Sequence, residues 1–177
     1  MKVCSFLEIS EELGNTKEGK YLCRYLKKLE AKTVVVEDNY IDKDYLIDYS
    51  NFYARSFKPF EKKTKRLHFF NEDFSEEKFM SCFSLDVGSQ YFIKKAYLGF
   101  VVVKPIEFGD NKKLIGRTLL QTYKTDTENG EKRKYTKFKH DVYLYGINLE
   151  IESLPYQMQD QAVAACATTA IWTSLSA

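Results

Sequence analysis

Nothing in this chain of 177 residues supplies a strong electrostatic field, because 27 Lys and Arg stand against 25 Asp and Glu for a net charge of +2. A balance of that kind excludes bulk charge as the basis for capturing nucleic acid or an anionic membrane, and neither partner is expected. Long apolar runs are also missing. No window approaches the ~18 apolar residues of a spanning helix, and the opening Met1 to Glu8 reaches an acid before any apolar stretch of signal-peptide length. The expectation is a cytoplasmic protein without a membrane segment. Cysteine is sparse and scattered. Cys4, Cys23, Cys82 and Cys166 form no CxxC pair and no Cys/His cluster, which argues against a zinc knuckle or a disulfide scaffold. Four free thiols are expected, with no metal and no cofactor. Internal repeats, low-complexity tracts and flexible linkers are absent as well.

What is present is hydrophobic mass: 44% hydrophobic and 15% aromatic residues, enough for one real core. From Thr16 onward, Leu22, Tyr25, Leu26 and Leu29 recur at helical spacing with Lys and Arg on the opposite face, which predicts an amphipathic helix. Thr33 to Glu37 is β-branched and reads either as a short strand or as the entry to the next element. Tyr45, Leu46, Tyr49, Phe52, Tyr53 and Ser56 repeat at helical spacing behind the acids Asp42 and Asp44, predicting a second helix that ends near Phe57, before Pro59.

Residues 58–66 are basic and read as a solvated connection. Lys58, Lys62, Lys63, Lys65 and Arg66, interleaved with Phe57 and Phe60, also suggest a phosphate or nucleic-acid patch, but nearby acids dilute the charge. Leu67-His68-Phe69-Phe70 then reads as a buried strand, with His68 in or near the core. Ser75 looks like the N-cap of a third helix running to Phe83, with Phe74 stapled onto Phe79.

From about Tyr91 the pattern turns to β. Tyr97 to Lys104 is a strand signal ended by Pro105, Leu114 to Tyr123 is a second, and Asn129-Gly130 marks a turn before Tyr135 to Phe138. Asp141 to Ile151 alternates Ile147, Leu149 and Ile151 on one face, and Gly146 reads as a bulge or bend. Gly116 likewise reads as a bulge rather than as part of an anion site with Arg117. These elements predict an α+β fold, with N-terminal helices covering one face of a mainly antiparallel sheet and a C-terminal helix closing the chain. Residues 1–153 form the predicted α+β domain and residues 154–177 a separate segment.

That last segment could carry covalent chemistry. Ala162 to Leu175 is Ala-rich and predicts a helix with Cys166 in its first turns. There, unpaired backbone N–H groups and the positive dipole end favour a thiolate. Upstream, Gln157, Gln159 and Gln161 offer neutral amide donors suited to an oxyanion. The alternative for Cys166 is a small buried residue of an Ala-rich helix. His140, beside Asp141, is a conceivable upstream base but reads more simply as a surface residue at a strand start.

Gln159, Asp160, Ala165, Cys166, Ala167, Ala170 and Trp172 together resemble the nucleophile segment of papain-like cysteine peptidases, including their bacterial bacteriocin-processing branch. The resemblance covers about residues 155–175. It implies Cys166 as nucleophile, Gln159 as oxyanion donor with Gln161 or Gln157 as substitutes, and a peptide or protein substrate. The family's catalytic His lies downstream of its Cys, followed by an Asn or Asp. No such residue follows Cys166 here, so residues 1–177 alone are not expected to hydrolyse peptides, and the segment reads as the start of a truncated peptidase domain. The second expectation is a non-catalytic protein-interaction or regulatory module.

Overall fold

The computed structural model describes residues 1–10, 13, 16–83, 87–108, 112–122, 136–158 and 166–175. Its centre is a five-stranded antiparallel sheet of β1 (Lys2–Ser5), β2 (Thr33–Tyr40), β3 (Thr64–Phe70), β4 (Tyr97–Phe108) and β5 (Lys112–Leu120), paired in sequence order. A separate hairpin pairs β6 (Phe138–Leu144) with β7 (Ile147–Ser153). The helices are α1 (Phe6–Ile9), α2 (Lys17–Lys28), α3 (Lys43–Asn51), α4 (Glu76–Ser81), α5 (Val87–Ala96) and α6 (Cys166–Leu175), with a 3-10 turn at Tyr53–Arg55. The fold is α+β, mainly antiparallel, with a C-terminal helix, as the sequence pattern predicts.

Strand alternation divides the core. Val34, Val36, Leu67, Phe69, Val101 and Val103 face α1 and α2, where Leu22 and Leu26 are buried. Val35, Phe70, Phe100 and Val102 face the opposite way, against Val142, Leu144, Leu149 and Ile151 of the hairpin and Phe79 and Ile93 of α4 and α5. Helices therefore do not cover one face alone, since α4, α5 and the hairpin close the second. A smaller cluster of Tyr45, Tyr53, Ile106 and Leu114 seats α3 at the far end of β4 and β5.

Local chemistry explains most boundaries. Thr16 caps α2 by accepting from the Gly19 N–H at 2.9 Å, and Asp42 caps α3 by accepting from the Tyr45 N–H at 2.8 Å. Ser75 caps α4, and Phe74 stacks on Phe79 with ring centroids 6.2 Å apart, the predicted staple.

Several expectations are corrected. The second helix stops at Asn51 and gives way to the 3-10 turn, leaving Leu46 and Phe52 exposed where their spacing suggested a buried stripe. The third helix ends at Ser81 rather than Phe83, and α1 and α5 were not foreseen. Strand β4 continues through Pro105 to Phe108, because the register shifts between Lys104 and Glu107 and so places the proline at an irregularity where no ladder N–H is required. Asp141 to Ile151 is not one bent strand but the turn of a hairpin. Tyr145 and Gly146 both have positive φ, 48° and 90°, the geometry that returns a chain in two residues. The ladder between β4 and β5 shifts beside Gly116, in keeping with the bulge expected there. The predicted turn at Asn129-Gly130, and the strand residues Tyr123 and Tyr135, lie outside the described residues.

Candidate functional site

The predicted nucleophile segment is reached by a short detour of the chain along the sheet edge. After β7, Tyr156 pairs with Thr118 of β5, donating to its carbonyl at 3.0 Å and accepting from its N–H at 2.7 Å. The Met158 N–H donates to the Ile115 carbonyl at 3.1 Å. Gln157 sits half-buried within this stitched segment. Helix α6 then begins at Cys166, which puts that residue where backbone N–H groups lack helical partners. Gln159 and Gln161 lie outside the described residues. Along α6, Ile171 is 58% and Leu175 81% exposed, and none of its described side chains joins a core cluster.

Beside the stitch lies a groove of about 650 Å³, lined chiefly by Tyr21, Leu22 and Tyr25 of α2 and by Leu120, Leu154 and Tyr156. Its walls are fixed by two hydroxyls: Tyr25 donates to the Gln121 carbonyl at 2.8 Å, and Ser153 to the Leu120 carbonyl at 2.7 Å. The groove is mostly apolar with hydroxyls at its border, a composition typical of ligand clefts.

The most perturbed titratable groups lie elsewhere, between the sheet and the hairpin. Arg66, assigned from sequence to a solvated connection, is instead 7% exposed within β3. Its Nε donates to Glu37 Oε2 at 2.7 Å, and its Nη2 to the Tyr143 carbonyl of β6 at 2.6 Å. The guanidinium lies 4.0 Å from the Tyr40 ring centroid and 5.3 Å from that of Phe100. His68 is fully buried, in agreement with its predicted core position, and burial pulls its pKa down to about 4 against the opposing pull of Glu37. Burial alone would raise the Glu37 carboxyl, but the hydrogen bond from His68 and the charge and hydrogen bond of Arg66 outweigh it and hold it below its ordinary value. Desolvation drives Tyr97 well above the usual phenol range.

This quartet of Glu37, Arg66, His68 and Tyr97 was missed from sequence. Alternation within Arg66-Leu67-His68-Phe69-Phe70 was the available signal, since it places the Arg on the same face as the buried His. Neither His68 nor Glu37 lines a cavity among the described residues. The quartet ties sheet to hairpin rather than meeting a substrate.

His140 lies in β6 opposite Ile151, with its Nε2 buried and without a hydrogen-bond partner among the described residues. Burial lowers its pKa, partly opposed by a hydrogen bond with the Ser153 backbone. Cys4, Cys23 and Cys82 are free thiols, and no group of three or more His, Cys, Asp or Glu side chains is placed to hold a metal ion among the described residues.

Comparison with protein-family models, with curated proteins and with solved structures finds no match for this chain.

Proposed function

We propose that the chain is the forward part of a papain-like cysteine peptidase-type protein, in which the α+β body carries α6 as the nucleophile helix. The observation that supports this reading is α6 itself. It starts at the one cysteine whose sequence neighbourhood resembles that family's nucleophile, and it leaves Ile171 and Leu175 in solvent, apolar surface that further polypeptide would cover. In this reading the Cys166 thiolate attacks the carbonyl carbon of a peptide bond, and Gln159 donates to the resulting oxyanion. The C–N bond then breaks as a His from outside residues 1–177 protonates the leaving amine. Water, deprotonated by the same His, hydrolyses the thioester.

The test is alkylation by iodoacetamide at graded pH, read by mass spectrometry at each cysteine, with Cys166→Ala as control. Rapid modification of Cys166 below pH 7 is the expected result. A rate that rises only near the ordinary thiol pKa of about 8.5 would remove the nucleophile from the reading. The coding sequence beyond codon 177 supplies the second arm: a downstream His followed by Asn or Asp supports the reading, and a stop codon counts against it.

A non-catalytic protein-interaction module is the second reading, and the tyrosine-lined groove of about 650 Å³ favours it. In that case Cys166 has ordinary thiol reactivity.

A further inference from the structure

A second cavity, of about 360 Å³, opens at the end of the sheet remote from the hairpin turn, and its lining is dominated by one chemistry. Lys58, Lys63, Lys65, Lys104 and Lys113 all border it, together with Phe60, and Glu61 is the single acid among the lining residues. These lysines come from separate stretches of chain. Lys58 and Lys63 lie in the connection before β3, Lys65 in β3, Lys104 in β4 and Lys113 in β5. The antiparallel ladders bring them together, because Lys65 pairs with Val103, the neighbour of Lys104, and Lys104 pairs in turn with Leu114, the neighbour of Lys113.

The connection is held in place rather than loose. Phe60 packs edge-on against buried Tyr53 with ring centroids 5.0 Å apart, and the Tyr45 hydroxyl donates to the Glu61 carbonyl at 2.7 Å. Lys104 is the innermost cation, only 3% exposed, fixed by Asp48 at 3.0 Å and lying 5.7 Å from the Tyr45 ring centroid. Lys65 meets Asp38 only at 3.9 Å, with both side chains well exposed. Lys58, Lys63 and Lys113 have no carboxylate partner among the described residues. Ammonium groups gathered around a concavity repel one another, and an anion in the hollow relieves that repulsion. Lysines act as point charges and lack the planar fork of arginine, so the array suits the distributed charge of phosphate oxygens better than a single carboxylate.

We propose that this cavity is a binding site for a small, multiply charged phosphate ligand, of the inorganic polyphosphate or nucleoside polyphosphate class. The site is independent of Cys166 and stands whether or not the peptidase reading does.

The experiment is isothermal titration calorimetry of the intact chain with pyrophosphate and, separately, with ATP, at about 50 mM and about 200 mM salt. Saturable binding at one site that weakens with salt is expected, with affinity falling on the order of tenfold in Lys58→Ala/Lys63→Ala and again in Lys113→Ala. Lys139→Ala, which removes an exposed lysine of β6, should bind as the parent does. Equal affinity for the two probes identifies the phosphates alone as the ligand group, whereas tighter ATP binding adds the nucleoside, with Phe60 as the surface it would meet. Failure of both probes to saturate, equal loss in Lys139→Ala, or binding confined to single-stranded RNA would overturn the proposal. The cavity lysines chosen for removal are on the surface or in a connection, and circular dichroism of each variant separates lost binding from lost folding.

Discussion

The Tyr97 hydroxyl lies 3.0 Å from Nδ1 of His68, and this contact determines which imidazole nitrogen carries the proton. Tyr97 remains a phenol and donates, so Nδ1 accepts and the Nε2 proton points toward Glu37 Oε2, 3.5 Å away. Neutral histidine, ionised glutamate and arginine thus form one chain of donors and acceptors from β4 through β3 and β2 to the hairpin.

A loss of stability in mild acid follows. His68 titrates near 6.5 when unfolded, and burial lowers it to about 4 in the fold. A depressed folded pKa gives stability that is complete above the unfolded value and is lost as pH falls toward the folded one. The folded state should therefore weaken between about pH 6.5 and pH 4, by on the order of 2–3 kcal/mol from this residue. The depressed Glu37 carboxyl extends the loss below its ordinary range. Urea denaturation across this interval measures it, and a flat profile would contradict a neutral buried imidazole.

Arg66→Ala should cost about 3–5 kcal/mol, since it leaves Glu37 without its cation and the Tyr143 carbonyl without its donor. Arg66→Met combined with Glu37→Leu should recover much of that loss, because both charges then leave together. Chemical denaturation of the single and double variants closes the cycle. A double variant no more stable than Arg66→Ala would mean that the guanidinium acts mainly through its packing on Tyr40.

Gly99 and Gly146 should respond differently to alanine. Gly99 has φ of +121°, and a Cβ there would overlap the Leu119 carbonyl oxygen and approach Ile151 Cδ1 to 2.7 Å. Gly99→Ala should therefore cost about 3 kcal/mol or more, combining strain with overpacking. At Gly146, with φ of +90°, a Cβ meets nothing within 4 Å, so only backbone strain remains, about 1 kcal/mol. Thermal denaturation of the two variants compares them directly, and equal losses would show that packing at Gly99 is not the cause.

Thiol labelling of the native chain should proceed in sequence. Cys4 and Cys82 are buried and should react only on unfolding. Cys23 is half-buried, and burial raises its pKa against the partial opposition of Lys27, so it should label slowly at neutral pH. Disulfide-exchange labelling followed by peptide mapping reads each site, and rapid labelling of Cys82 would show that α4 and α5 open readily.

Periodicity revealed the elements whose burial is one-sided. The stripe of Leu22 and Leu26, the staple of Phe74 on Phe79 and the β-branched run of Val101 to Val103 were all legible. What escaped detection depended on tertiary partners. Arg66 looks solvated among lysines, yet the hairpin covers it and Tyr40 and Glu37 receive it. Pro105 looks like a strand end because the bulge that tolerates it arises only from pairing with β5. Helix α5 was obscured because its aromatic and apolar residues run directly into those of β4. At the candidate nucleophile, the start of a helix at Cys166 was legible from its Ala-rich composition. The lysine-lined cavity was only hinted at by residues 58–66, since Lys104 and Lys113 join it solely through strand register.

The pair of hydrogen bonds between Thr118 and Tyr156 gives the body a mechanical role. The chain leaves the sheet from a fixed seam rather than from a free tether, so whatever α6 engages takes its bearing from the edge of β5. Tension drawn through α6 would load that seam before it reached the hairpin, making Tyr156 the point at which the body either transmits a pull or lets go.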